Sequence, residues 1–187
     1  SSCRFLSNRP FGHILGAPIL SGPVRVPVER EDDAAGSRIT ASHDGYASEF
    51  HVLHERDIRL AGDGTVLDGI DTFSAIGPVD SENRYAIRFH LHPGLRSSLI
   101  RGGSAVLLVC RDGEAWEFEA PGSELSLEES IYLSDVFGHR KTDQIVVSGS
   151  LLEAPSVGWQ FRKTATAKLS RRGTTEFDEL DELPLEE

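Results

Sequence analysis

The chain has 187 residues, 39% of them hydrophobic, with 19 Lys and Arg against 30 Asp and Glu for a net charge of −11. That length suits one domain able to bury a real core, and no run of about 18 apolar residues is present to span a membrane. The acid excess argues against nucleic acid as a partner, because duplex binding needs clustered Lys and Arg to neutralise phosphates.

The charge is uneven. Residues 174–187 carry seven acids and no base, and removing them from the −11 leaves −4 for the remainder. A basic stretch with Arg162, Lys163, Lys168, Arg171 and Arg172 precedes them. Residues 164–187 are therefore expected to form a basic, then acidic tail outside the fold, without stable structure. Two cysteines, Cys3 and Cys110, allow one disulfide at most, so the redox compartment stays open; both are expected as small buried hydrophobes. The chain opens at Ser1 without a signal-like succession, and residues upstream of it are expected.

In chain order, residues 2–6 have room for a short strand, and 7–23, with three Pro and three Gly, read as an irregular connection. Residues 24–31 alternate, with Val24, Val26 and Val28 on one face, and Pro27 places this strand at a sheet edge. A charged loop at 31–36 leads to a strand at 38–42, which delivers the turn His43-Asp44-Gly45-Tyr46, where Gly45 is expected to take positive φ. A long strand follows at 50–60. Its one face holds Phe50, Val52, His54, Arg56, Ile58 and Leu60, so His54 and Arg56 interrupt an apolar stripe. Asp63-Gly64 signals a hairpin of type I′ returning as a strand at 65–73. After a loop, Tyr85, Ile87, Phe89 and Leu91 form one face of the next strand, and Arg88, His90 and His92 the other. A hairpin joins 105–111 to 115–120, a loop joins 124–134 to 142–150, and 157–163 is the last strand, with Trp116 and Trp159 expected in the core. About ten strands without an amphipathic helix predict an all-β protein, a large antiparallel β-sandwich over residues 1–163.

Few spacings carry chemistry. His90 and His92 form an H-x-H pair whose imidazoles lie on one side of a strand roughly 7 Å apart, close enough to share a metal if a third ligand converged, His43 being the available one. The plainer expectation is a half-exposed sheet face beside Arg88. His43 sits in a turn that can aim it, or merely caps that turn. No nucleophile elbow, phosphate loop or zinc-type cysteine pairing occurs.

The succession S-H-D-G-Y-A at 42–47, F-H-V-L-H-E-R-D-I-R-L at 50–60, D-G-T-V-L-D-G-I-D-T-F at 63–73, R-F-H-L-H-P at 88–93, L-E-E-S-I-Y-L at 127–133 and Q-I-V-V-S-G at 144–149 resembles the C-terminal β-sandwich of bacterial heparinase II/III-like proteins over residues 2–161. The resemblance implies a large sandwich that follows an N-terminal (α/α) toroid. It also implies polysaccharide lyase activity by β-elimination on uronate-containing chains, in the periplasm or outside the cell. The catalytic Tyr and the group neutralising the uronate carboxylate are expected from the toroid, so this chain alone is expected to be inactive, and Tyr46 is not assigned that role. Arg56, Arg88, His90 and His92 are candidate contacts to the sulfate or carboxylate groups of an acidic polysaccharide. Some members hold zinc in the sandwich with two His and an Asp; His43 matches one of those His, with its partners expected upstream of Ser1. The other function considered is a non-catalytic carbohydrate-binding or structural sandwich, and aromatic residues, only 7% of the chain, give it little to stack on sugars.

Overall fold

The computed structural model describes residues 4–5, 19–134 and 138–164. Alternation of apolar and polar residues builds thirteen strands here: β1 (Arg4–Phe5), β2 (Ile19–Ser21), β3 (Val28–Asp33), β4 (Gly36–His43), β5 (Val52–Ala61), β6 (Val66–Ala75), β7 (Arg84–His90), β8 (Arg96–Ile100), β9 (Ala105–Val109), β10 (Ala115–Glu119), β11 (Glu124–Ser134), β12 (Gly138–Ser150) and β13 (Ser156–Lys163). One helical turn, α1 (Ala47–Phe50), stands between β4 and β5.

β1 and β2 pair with each other. The other eleven strands make two antiparallel sheets, one of eight strands in the order β3-β4-β5-β6-β13-β10-β9-β8 and one of three in the order β11-β12-β7. Tyr85, Ile87, Ile145 and Val147 on the small sheet pack against Val106, Leu108, Phe118, Val157 and Trp159 on the large one. This is the all-β antiparallel sandwich that the strand count predicts.

Two close approaches between neighbouring strands, one in each sheet, depend on glycine. Trp159 faces Gly69 in the β13–β6 register, and a Cβ there would lie 2.0 Å from the indole. A Cβ on Gly149 would meet the Tyr85 hydroxyl at 2.2 Å. Bare backbone at these two points lets large rings lie flat on the sheet.

Several local expectations are corrected. The β5–β6 hairpin forms, but Asp63 keeps negative φ while Gly64 is at +69°. A type I′ turn needs both central residues at positive φ; here Gly64 N–H closes on Ala61 O, and Asp63 caps Thr65. Gly45 does not take positive φ; His51 does, at 55°, where the chain leaves α1 for β5. β3 is an edge strand as predicted, but it starts at Val28, after Pro27, and runs through the expected charged loop to Asp33; Val24 and Val26 precede it, exposed. β11 and β12 form one long hairpin, paired from Glu124↔Ser148 to Ser134↔Gly138, so no loop reaches to residue 142. β8 was not expected as a strand. Trp159 is core, whereas Trp116 and Cys110 are half-buried. Cys3 and the tail beyond Thr164 lie outside the described residues.

A buried carboxylate hub and its cavity

The site grows from the register of four adjacent strands. Cross-strand neighbours share a face, and the pairings His43↔His54, Arg56↔Asp71 and Trp159↔Gly69 set these side chains side by side on the inner face of the large sheet. Asp71 is fully buried. Its Oδ1 accepts from His54 Nε2 at 2.6 Å and Arg56 Nε at 2.7 Å, and its Oδ2 from Trp159 Nε1 at 2.7 Å. The indole reaches Asp71 because it crosses Gly69. Burial alone would push the Asp71 carboxyl up, but three donors and the Arg56 charge outweigh it and hold the group below the usual carboxylate range.

The hub continues outward as a directed chain. His43 Nδ1 accepts the Gly45 N–H at 3.1 Å, so its proton sits on Nε2 and is donated to His54 Nδ1, also at 3.1 Å. His54 then carries its proton on Nε2, facing Asp71. Both imidazoles are thereby assigned as neutral Nε2–H tautomers by their partners. Burial, followed by His54 and Arg56, holds His43 below the ordinary histidine value, against the pull of Asp44. Asp44 itself accepts from the backbone of Val24 and Arg25, pinning the segment before β3 to this turn.

A cavity of about 590 Å³ opens beside the hub. Phe50, Tyr46, His43, His54, Phe73 and Tyr85 form an unbroken succession of ring contacts along it, with centroids 4.6 to 6.3 Å apart. β7 also lines the cavity, with residues 84–88 in succession; among the described residues it pairs with β12 alone, so its other edge is left unpaired beside the cavity. Arg56 spends only its Nε on Asp71, and its two Nη nitrogens have no acceptor among the described residues. Its guanidinium carbon lies 5.9 Å from the rings of Phe89 and Trp159.

Arg56, Arg88 and His43 therefore border one cavity, while His90 and His92 do not. Arg88 pairs with Glu128 at 2.7 Å, His90 meets Ser130 Oγ at 2.8 Å, and His92 takes the Gly94 N–H at 3.1 Å beside Tyr132. His90 and His92 are exposed on the outer face of the small sheet. Sequence reasoning missed Asp71, whose signal was its place opposite Arg56 once the hairpin register is drawn.

Zinc, which the resemblance implies, does not fit this donor set. His43, His54 and Asp71 supply two His and an Asp, but the His54 ring stands between the other two, bonded to each by a different nitrogen. Three ligands of one ion must converge on a point, and these do not. No group of three or more His, Cys, Asp or Glu suited to a metal occurs among the described residues.

Comparison with known proteins agrees with this architecture. The model of the heparinase II/III-like C-terminal family matches residues 1–160. The chain belongs to this family. FtsZ-localized protein C of Caulobacter vibrioides is 30% identical over 155 residues, covering 79% of this chain and 26% of that protein. The heparan sulfate lyase HepC of Pedobacter heparinus superposes with a TM-score of 0.62 at 13% identity, over 79% of this chain and 23% of the lyase. The heparinase III BT4657 gene product gives 0.58 at 11% identity, over 75% and 22%. The chain thus spans about a quarter of the length of these proteins, and the two solved structures share its fold.

Proposed function

We propose that this domain forms one wall of a cleft for an acidic, uronate-containing polysaccharide in a longer heparinase II/III-like protein. The observation that carries the reading is Arg56. Its Nε is fixed by a fully buried carboxylate, and its Nη pair, at an aromatic-lined cavity, has no acceptor among the described residues. A guanidinium held at one corner presents a planar pair of donors suited to a carboxylate or sulfate, and the half-buried rings of Tyr46 and Phe50 offer apolar surface to a sugar. Arg88 borders the same cavity, whereas His90 and His92 lie away from it on the outer face of the small sheet.

β-Elimination removes the C5 proton of a uronate and expels the 4-linked oxygen, so the carboxylate must be neutralised as the carbanion develops. In this reading the Tyr acid and base and the neutralising group come from a preceding (α/α) toroid, and the present domain positions the chain without touching the reacting carbon. Family membership supports the periplasm or the exterior as the setting. The test offers the full-length protein heparin, heparan sulfate and alginate while the ultraviolet absorbance of an unsaturated uronate is followed. A rise with one of them is expected; no rise with any sinks the lyase part.

One observation favours a second reading, a non-catalytic carbohydrate-binding or structural sandwich. Identity to FtsZ-localized protein C is 30%, against 13% and 11% to the two lyases. A full-length protein that binds acidic oligosaccharides without producing unsaturated product would fit it.

A further inference from the structure

We propose that Arg56 takes the place of a metal ion in this domain. It supplies the permanent cation at Asp71, and through Asp71 it positions the His54–His43 pair as a single metal-free unit. A carboxylate as buried as Asp71 stays ionised only with a positive partner and hydrogen bonds to both oxygens. In a zinc-bearing site the ion provides that charge and collects the histidine lone pairs around itself. Here the charge is that of a side chain, on the residue directly opposite Asp71 in the β5–β6 register.

The remaining valences are filled accordingly. Asp71 receives three donors, and His54 has a protein partner on each ring nitrogen. His43 gives one nitrogen to Gly45 N–H and the other to His54. Neither His43 nor His54 has a ring lone pair left to ligate an ion. The direction of donation runs from Gly45 N–H through His43 and His54 to the charge on Asp71, so Arg56 acts on His43 across two intervening groups as a positioning residue. The unit is built from β4 and the turn after it, β5, β6 and β13, independently of the saccharide reading.

The test uses the full-length protein, loaded with zinc and then passed over a desalting column. Wild type and His43→Gln are expected to retain equal zinc, whatever the rest of the protein holds; a deficit of about one equivalent in the variant overturns the proposal, since one tetrahedral site holds one ion. Should that variant fail to fold, wild type labelled with nitrogen-15 in histidine serves alone. The ring signals of His43 and His54 are expected as two neutral Nε2–H tautomers that neither zinc nor a chelator moves. A shift of either ring on adding zinc, or its reversal by chelator, overturns the proposal. Asp71 without its guanidinium should also lose its hold on the pair: in Arg56→Gln the two rings are expected to leave the single-tautomer pattern, and an unchanged pattern would remove Arg56 from the positioning role.

Discussion

The molecule holds two clusters of the same residue types in different surroundings. On the inner face of the large sheet, Arg56, His54 and His43 are organised by a fully buried Asp71; on the outer face of the small sheet, Arg88, His90 and His92 meet Glu128, Ser130 and the backbone in solvent. An arginine and a histidine two residues apart on one strand, His54 and Arg56 on β5 and Arg88 and His90 on β7, describe both. The difference lies in what stands opposite. A carboxylate that cannot reach water fixes its donors in one geometry, whereas a pair in solvent gains little after screening and side-chain entropy.

Substitutions can break this contrast. Asp71→Asn removes the charge that Arg56, His54 and Trp159 share, and should cost about 3–5 kcal/mol in a denaturant titration, the range for breaking a buried ion pair. A loss no larger than that of a surface variant would dissolve the distinction. Gly69→Ala forces a methyl into the indole of Trp159 and should lower stability by about 1–3 kcal/mol, as overpacking does; melting curves of the two proteins would show it. Trp159→Phe keeps most of the ring but orphans Asp71 Oδ2, for about 1–3 kcal/mol, and adding Asp71→Asn to it should cost less than the sum, because the two share one interaction.

The pH dependence sharpens the same point. Asp71 is held below its ordinary value of 3.8 in the folded protein, so above that value both states are ionised and its stabilising contribution is full. As pH falls below it the unfolded chain binds the proton first, and the contribution is lost progressively down to the folded value. Acid titration of Asp71→Asn should therefore show a shallower fall in stability than wild type in that window; parallel curves would contradict the assignment. Arg88→Ala and His90→Ala, at the other cluster, should each change stability by less than about 1 kcal/mol.

Much of this was legible beforehand. Alternation in 85–91 and 105–119 gave strands and faces that the sandwich keeps, and Asp63-Gly64 marked a hairpin whose register, Leu60 opposite Leu67, is the same for the turn expected and the one formed. That register already placed Arg56 against Asp71. The hub went unread because an Asp between Ile70 and Thr72 looks like any polar residue on a half-wet strand, and its burial depends on Trp159, 88 positions away, crossing Gly69. The His43–His54 contact was hidden for a related reason: α1 and the left-handed His51 intervene, and neither has a local sequence signature. β8 was missed because R-S-S-L-I offers too few alternating apolar residues to stand out.

The central claim is that Arg56, anchored by Asp71, is the domain's contact to an acidic saccharide. The most direct measurement is the affinity of full-length protein for uronate-containing oligosaccharides, heparan sulfate and alginate fragments among them, in wild type, Arg56→Gln and His90→Ala. Loss of one charge-assisted donor pair should weaken binding about tenfold or more in Arg56→Gln, with His90→Ala changing it far less. Equal affinity in wild type and Arg56→Gln, for a ligand that wild type binds, would contradict the account.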